Sequence, residues 1–361
     1  MTKAAELAKM GEVLTNSQIG GRRNIIINGA MQVAQRATSS TSTGYATVDR
    51  IKVNTTNLDQ LAFTQSQSST VPSGEGFSNS FKFEVTTQET ALSSDEFANI
   101  QYRMEAQDLQ SLAYGTSDAK KTTLSFWVRS SLTGKYSVLF YLTDDTRSNT
   151  QSFTISSADT WEHKTITIDG DTTGVIDNDN GAGLNINFIL AAGSDYAGTP
   201  HSGWGAYANT DDFAFSDQVN FIAQTGTFYL TGLQFELGSQ ATPFEHRSFG
   251  EELQLCKRYF HKTGGTAYCN IGTVTNYTSG AMLGPYKHPV EMRSAPSVTK
   301  SGDWAVLGGD TTVNQTAVSS DSNGKVSEIG FSGGSGGTSG RSATLRFNND
   351  ANAYLHWDAE L

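Results

Sequence analysis

The sequence predicts an all-β protein: an antiparallel β-sandwich or jelly roll with a short N-terminal helix, a linking helix and a second, smaller C-terminal β-domain. Three observations support this fold class. The 361 residues include 36 glycines but only 6 prolines, and only 17% of them are charged. Short segments alternate between apolar and polar residues, as half-buried strands do. Turn-forming residues separate these segments at the short intervals that are typical of sandwiches.

The N-terminal segment, residues 1–23, contains a predicted helix over residues 2–15. Leu7, Met10 and Leu14 lie at helical spacing on one side of it. So short a helix is marginal by itself, so its apolar side needs a packing partner. That partner is either its own domain or another chain, in which case the segment serves anchoring or oligomerisation.

Residues 24–248 form the predicted jelly-roll domain. It opens with NIIINGAMQVAQR at 24–36, whose apolar run predicts a buried strand, a Gly break and then alternation. One helical turn is predicted at 107–113. Further strands are predicted at 47–53, 60–66, 79–86, 97–105, 122–129, 135–142, 150–155, 161–168, 184–190, 219–223 and 227–237.

Residues 249–261, FGEELQLCKRYFH, predict the linking helix, because Leu253, Cys256 and Phe260 share one face. Residues 262–361 form the predicted C-terminal β-domain. Its strands are predicted at 267–275, 280–283, 297–300, 304–307, 326–331, 342–347 and 353–358.

The charge balance limits the possible partners. A formal net charge of −11 disfavours sequence-independent binding of nucleic acid, because phosphates repel an acidic chain. No apolar stretch approaches the ~20 residues that a membrane-spanning helix requires, so membrane insertion is not expected. No motif indicates a cofactor.

Two local patterns resemble sites of known chemistry. Residues 333–337 match G-x-S-x-G, but no helix follows them, so a flexible loop is the better interpretation. Asp177 and Asp179, in DNDNG, place oxygen ligands at alternate positions like the start of a calcium loop. The twelfth position of that pattern is Phe188 rather than Glu, so a polar turn is favoured over a structural Ca²⁺ site.

Alternation along three strands predicts a non-core face that carries aromatic and planar polar side chains. Such a face suits a sugar ring, since aromatic rings cover its C–H groups and polar side chains bond its hydroxyls. The alternative is that a second sheet, a loop or a neighbouring subunit covers this face. The glycan-binding candidates are Gln101, Arg103, Trp127, Arg129 and Tyr141, with Trp204 as a further aromatic.

A charged segment between the last long strand and the helix invites two interpretations, an active site or a structural joint. Pro243 ends the strand because it cannot donate a ladder hydrogen bond, and Phe244 can pack beneath the turn. Glu245 and Arg247 can pair or bond backbone groups, while Ser248 can cap the helix. The joint is the favoured interpretation.

Three segments resemble one family. NIIINGAMQVAQR at 24–36, LSFWVRSSLTG at 124–134 and GLQFELGSQATPFEHRSFGEELQLCKRYF at 232–260 are similar to the opening, middle and close of a module in bacteriophage fibre-like virion proteins, common in marine phages. The resemblance covers about residues 24–260. It implies a jelly roll similar to carbohydrate-binding modules, a homotrimer and no catalytic residues.

The resemblance implies a virion protein, made in the host cytoplasm, that acts as a tail fibre. Its N-terminal segment would contact other virion proteins, and the fibre would adsorb to host surface polysaccharide without enzymatic activity. Two alternatives remain open. One is a capsid decoration or head-fibre protein without a receptor, and the other is a polysaccharide depolymerase whose carboxylates come from distant positions.

Overall fold

The computed structural model describes residues 23–307, 317–332 and 338–361. The predicted helix at 2–15 and the G-x-S-x-G pattern at 333–337 lie outside these residues. The chain divides into two compact units, the first comprising the residues up to Glu252 together with Leu361 and the second spanning Leu253–Glu360. The division falls inside a helix, Phe249–Lys257.

The first unit is built almost entirely from strands. From residue 23 onward, the described part of this unit contains two 3₁₀ helices, Ala106–Leu112 and Phe221–Ala223, a four-residue helix α1 (Asn209–Asp212) and the start of α2 (Phe249–Lys257). Its strands are β1 (Ser39–Ser40), β2 (Ile51–Thr56), β3 (Ala62–Ser68), β4 (Ser80–Thr87), β5 (Phe97–Glu105), β6 (Thr122–Ser130), β7 (Gly134–Leu142), β8 (Arg147–Ile155), β9 (Glu162–Ile168), β10 (Ala182–Ala192), β11 (Ala197–Gly198), β12 (Gly205–Ala206), β13 (Ala214–Phe215) and β14 (Gly226–Leu237).

These strands form two six-stranded sheets. Sheet I has the order β1-β3-β4-β14-β6-β9, and sheet II has the order β12-β8-β7-β10-β5-β2. Neighbours in both sheets are antiparallel, for example β6 with β14 and β5 with β10. A short parallel pair, β11 and β13, stands apart from them. The predicted all-β antiparallel sandwich is therefore confirmed.

One apolar core lies between the two sheets, because alternation sends every second side chain inward. The residues that the sequence assigned to the core faces of β5, β6 and β7 are all at most 3% exposed. Strands from both sheets contribute rings to this core, and the Phe126 ring of β6 meets the Phe188 ring of β10 edge to face at 5.0 Å. Burial of these rings contributes about 25 cal/mol per Å² of apolar surface.

Two of the predicted strands in this unit are wrong. Residues 24–36 are irregular, although Ile26 and Ile27 are buried. Side chains replace a strand ladder here, since the Asn24 carboxamide oxygen accepts from the backbone N–H of Ile26 and the Asn28 oxygen from that of Val33. The segment predicted at 219–223 contains the 3₁₀ helix that packs Phe221 and Ile222 into the core.

The second unit contains a three-stranded sheet, β15-β23-β18, and a six-stranded sheet, β19-β22-β16-β17-β21-β20. Trp304 and Trp357 are fully buried in its core. Its strands are β15 (Phe260–Gly264), β16 (Asn270–Asn276), β17 (Ala281–Lys287), β18 (Ser297–Ser301), β19 (Trp304–Leu307), β20 (Ala317–Ser322), β21 (Val326–Ser332), β22 (Ser342–Phe347) and β23 (Tyr354–Asp358).

The linking helix is shorter than predicted. It ends at Lys257, and Phe260, which the sequence placed on its apolar face, begins β15 and pairs with Asp358. The Tyr259 N–H donates to the Cys256 carbonyl and the Ala359 N–H to the Tyr259 carbonyl. The C-terminal strand lies 98 residues away in sequence, counted from Phe260 to its partner Asp358. Pairing with this strand therefore outweighs the local helical pattern.

Candidate functional site

An open groove lies on the outer face of sheet II. Alternation places Asn99, Gln101 and Arg103 on this face of β5, opposite the buried Ile100 and Tyr102. The cavity has a volume of about 400 Å³, within the range of small-ligand sites. Its lining residues are Asn54, Thr55, Thr56, Phe97, Asn99, Gln101, Arg103, Leu139, Tyr141, Thr143, Asn185, Asn187, Tyr207 and Phe213.

Strand register aligns the polar side chains of the floor in rows across the sheet. Asn185 of β10 stands between Tyr141 of β7 and Arg103 of β5. Asn187 stands between Leu139 and Gln101 in the next row. Because directly paired residues lie about 4.5–5.5 Å apart, neighbouring side chains in a row can engage one ligand together.

A hydrogen-bond network fixes part of this floor. The Asn187 carboxamide oxygen accepts from the side chains of Asn99, at 2.8 Å, and Gln101, at 2.7 Å. The Arg103 Nε–H donates to the Gln101 oxygen at 2.8 Å. These bonds hold the planar groups in one orientation before any ligand arrives, which lowers the entropy cost of binding.

Two acceptors on the floor lack a partner. The Oδ1 atoms of Asn99 and Asn185 are buried and accept no hydrogen bond from the described residues. Both side chains belong to residues that are at most 4% exposed. An unsatisfied buried acceptor costs about 1–3 kcal/mol, so both oxygens favour a ligand that carries hydrogen-bond donors.

Aromatic rings form the walls of the groove. Tyr141 and Tyr207 meet edge to face at 5.0 Å. Phe97 packs on Phe213, with 4.8 Å between the ring centroids. Burial raises the pKa of Tyr207 well above its ordinary value, and the neighbouring Tyr141 and Asp212 raise it further. The Tyr207 hydroxyl therefore stays neutral near pH 7.

Three of the predicted glycan-binding residues, Gln101, Arg103 and Tyr141, line this groove together. Trp127 and Arg129 do not, because β6 belongs to sheet I while β5 and β7 belong to sheet II. The prediction that these five residues share one face is therefore wrong. Alternation identifies the outer side of each strand, but strand pairing decides on which sheet that side lies.

Trp127 and Arg129 have contacts of their own on the outer face of sheet I. The Trp127 ring lies 5.1 Å from the His163 ring. Arg129 forms an ion pair with Asp159 at 3.3 Å and lies over the Tyr229 ring at 5.4 Å. His163 and Tyr229 are the cross-strand neighbours of Trp127 and Arg129 in the same sheet, so their contacts are ordinary cross-strand pairs. Asp159 lies in the loop that precedes β9.

Trp204 lies outside the groove lining. Its Nε1–H donates to the Asp169 carbonyl at 2.7 Å, and its ring meets the Tyr114 ring edge to face at 5.7 Å. The indole N–H is therefore hydrogen-bonded and the ring is packed against another ring, as is typical of an aromatic side chain with a structural role.

Sequence reasoning missed most of the groove's amides and part of its aromatic walls. Asn99, Asn185 and Asn187 sit at alternate positions of β5 and β10. The pattern LNINF, in which an asparagine alternates with buried Ile186, carries this signal. Tyr207 and Phe213 come from the segment around α1, and their approach to sheet II depends on tertiary packing.

Asp177 and Asp179 lie in a turn whose backbone N–H groups donate to aspartate side chains. The Asp177 N–H donates to Asp144 at 3.0 Å, and the Gly181 N–H donates to Asp179 at 2.7 Å. Burial, with the charges of both aspartates, raises the pKa of Asp144. In the part of the chain that is described, neither residue joins a cluster of three or more potential metal ligands.

The segment containing Pro243, Phe244, Glu245 and Arg247 contacts the start of the first unit. Glu245 accepts from the backbone N–H of Asn24 and lies 3.5 Å from the Arg247 guanidinium. The Pro243 carbonyl accepts from the Arg23 side chain, and the Phe244 ring meets the Phe77 ring at 5.0 Å.

The Arg247 guanidinium donates to the backbone carbonyls of residues 24 and 26. The Ser248 hydroxyl accepts from the Glu251 N–H at 3.3 Å, as an N-cap does. The charged groups of this segment are therefore engaged with backbone and with one another.

Comparisons with known proteins give structural likenesses only. No protein-family model matches the chain, and no curated protein matches it either. Solved structures that match include a tailspike protein 4 domain of bacteriophage CBA120, described as enzymatically active, with 12% identity and a TM-score of 0.33 over 60% of this chain and 21% of that one. The chain thus spans about a fifth of the tailspike domain's length.

Carbohydrate-binding modules are also among the matching structures. The family 11 module of a Clostridium thermocellum cellulosomal cellulase has 14% identity and a TM-score of 0.27, over 58% of this chain and 98% of that one. TmCBM61, solved with β-1,4-galactotriose, has 10% identity and a TM-score of 0.27, over 61% of this chain and all of that one. Scores this low transfer no function to this chain.

No helix in the described ranges has both the length and the apolar character that a bilayer crossing requires.

Proposed function

We propose that the first unit is a glycan-binding module and that the groove on sheet II is its binding surface. The observation that carries this proposal is the pair of unpartnered buried acceptors, Asn99 Oδ1 and Asn185 Oδ1, on the floor of an aromatic-walled groove. Sugar hydroxyls supply the donors that these oxygens lack. The rings of Tyr141 and Tyr207 offer apolar surface for the C–H groups of a pyranose.

The lining also favours binding over catalysis. The fourteen lining residues given above include no Asp, Glu or His. Glycoside hydrolysis in most families needs a pair of carboxyl groups flanking the scissile bond. The groove therefore supports a non-enzymatic role for this surface, and a depolymerase would need a separate site.

The wider proposal is a virion fibre protein of a tailed phage. It is supported by the three sequence segments that resemble phage fibre-like proteins. In this proposal the chain is a homotrimer in the virion, residues 1–23 contact other virion proteins, and the groove contacts host surface polysaccharide. Weak binding at each groove becomes stable adsorption when three copies act together. A capsid decoration without a receptor is the second candidate.

The first test measures glycan binding by the full chain. Calorimetric titration with β-1,4-galactotriose, xylohexaose and a β-1,3-1,4-mixed-linked tetrasaccharide, together with a glycan array, should identify a ligand. We expect Asn185→Ala and Tyr141→Ala each to weaken its binding about tenfold, because each removes one hydrogen bond or one ring contact.

Trp127→Ala is the matched control, since it removes an aromatic ring from the outer face of the opposite sheet. It should leave glycan affinity unchanged. If Trp127→Ala weakens binding and Tyr141→Ala does not, the binding surface is on sheet I. If no glycan on the array binds, the glycan-binding proposal fails.

The second test addresses the virion role. Purified full-length protein should bind host cells and reduce phage adsorption, and Tyr141→Ala should lose both effects. Binding to virions without binding to cells would instead identify a decoration protein, and loss of capsule around the protein would identify a depolymerase.

A further inference from the structure

A cluster of three carboxylates lies in two loops of the first unit. Asp59 lies in the loop between β2 and β3, whereas Glu89 and Glu96 lie in the loop between β4 and β5. One carboxylate oxygen from each residue lies within 4.8 Å of the others. Oxygens that share one Ca²⁺ at 2.3–2.6 Å lie within about 5 Å of one another, so this spacing allows the three carboxylates to share an ion.

Burial makes this cluster costly without a cation. Glu89 is 0% exposed and Glu96 is 5% exposed. Among the described residues, no Lys or Arg forms an ion pair with any of the three carboxylates. Keeping the buried Glu89 and Glu96 carboxylates close to each other and to Asp59 is unfavourable unless a positive charge compensates them.

An independent observation points to a ligand. The Glu89 Oε2 atom accepts from the backbone N–H groups of Gln60 and Leu61, at 3.0 and 3.2 Å. The Oε1 atom of the same carboxylate is buried and has no partner in the described chain. One oxygen therefore orients the group, and the other remains available for coordination.

We propose that Asp59, Glu89 and Glu96 bind a divalent cation, Ca²⁺. Oxygen-only ligands exclude the metals that favour nitrogen or sulfur, and Ca²⁺ accepts carboxylates in variable geometry. Exposed Asp59 leaves the ion open to water on one side, so waters complete the coordination. The site is distinct from the Asp177–Asp179 turn that the sequence suggested.

A bound ion would connect two loops that lie next to strands lining the groove. Glu96 directly precedes Phe97, which begins β5 and lines the groove, and Thr56 at the end of β2 lines it as well. Hydrogen bonds already link the two loops, for example from the Asn57 side chain to the Asp95 carboxylate at 2.8 Å. Binding of Ca²⁺ would therefore hold both loops in place and stabilise the first unit.

The test is calorimetric titration of the EDTA-treated full chain with CaCl2, combined with thermal unfolding in EDTA and in Ca²⁺. We expect one Ca²⁺ per chain and a higher Tm in Ca²⁺. Glu89→Gln should abolish binding, and Asp59→Asn should weaken it by about tenfold or more, because each removes a charged ligand. Asp59 is exposed, so its variant remains informative if Glu89→Gln fails to fold.

Asp177→Asn and Asp179→Asn serve as matched controls and should bind Ca²⁺ like the wild type. The proposal is overturned if the wild type shows neither Ca²⁺ binding nor a change in Tm. It is also overturned if Asp59→Asn binds like the wild type, or if the Asp177 and Asp179 variants lose binding instead.

Discussion

Replacing Arg247 with alanine is expected to lower the free energy of unfolding of the first unit by about 3–5 kcal/mol, because it removes one partner of a buried charge cluster. The Arg247 side chain is 3% exposed. Its guanidinium donates to the backbone carbonyls of Asn24 and Ile26. The substitution removes these donors and also leaves the Glu252 carboxylate, 3.4 Å away and 7% exposed, without its cation.

Urea-dependent hydrogen exchange can measure this change, since peptides from β14 and from β22 report on the two units separately. The matched control is Arg129→Ala, whose partner Asp159 is 56% exposed. An exposed ion pair of this kind contributes less than about 1 kcal/mol. Losses of similar size in the two variants would contradict the idea that Arg247 organises a buried cluster.

The sequence predicted the positions and inward faces of the long strands well, because both follow from a local rule. In β6, alternation alone assigned Leu124, Phe126 and Val128 to the core, and all three are fully buried. No partner strand needs to be known for this step, since side chains of any strand alternate with a period of two.

The sequence could not predict which strands share a sheet. β6 pairs with β14 through Phe228 and Ser130, residues 98 positions apart, whereas β5 pairs with β10 and β2. Such pairings depend on contacts over long stretches of chain, which no local pattern encodes. Alternation alone therefore groups Trp127 with Tyr141, although their strands lie in different sheets.

The strand predicted at 24–36 is a second error, because side chains there take the place of backbone pairing. The apolar run at 25–27 resembles a strand, but Asn24 and Asn28 bond neighbouring backbone groups with their carboxamides. Asn28 also has φ = 60°, a left-handed conformation that Asn tolerates better than most residues. A single asparagine at each end of the run thus replaces the ladder that the apolar pattern predicted.

The same type of residue defines the groove. A single asparagine on the outer face of a sheet does not indicate a binding site, because most outer positions are polar. Their significance arises when register aligns Asn185 with Arg103 and Asn187 with Gln101, and when Tyr207 lines the same groove. The candidate site therefore emerged only from the combination of strand order and loop packing.

The second unit is expected to lose stability as the pH falls from about 6.5 toward 4. His261 and His288 are buried side by side, with 2.9 Å between His261 Nε2 and His288 Nδ1. Burial is the largest cause that lowers the pKa of His261 to about 3, and the nearby His288 and Lys257 also lower it. Burial lowers the pKa of His288 to about 4, and its Nε2 lies 2.7 Å from the Ser327 hydroxyl.

The direction of the effect follows from proton linkage. Unfolded histidines titrate near pH 6.5, so below that pH the unfolded chain binds protons that the folded unit excludes. The contribution of the two histidines to the free energy of unfolding is therefore fully present above pH 6.5. Below that pH it falls by up to about 1.4 kcal/mol per pH unit for each histidine, until the pH reaches the pKa of that histidine in the folded unit. Hydrogen exchange of β23 peptides between pH 7 and 4.5, corrected for intrinsic exchange rates, measures the loss.

The double variant His261→Gln, His288→Gln should be less stable than the wild type at pH 7, since it disturbs the packing around Trp357, which is fully buried. Its stability should nevertheless change much less between pH 6.5 and 4.5, because glutamine does not titrate. His201→Gln, in the first unit with a side chain 49% exposed, should retain the wild-type slope. A slope that persists in the double variant would show that carboxylates, which protonate at lower pH, control the acid stability of this unit instead.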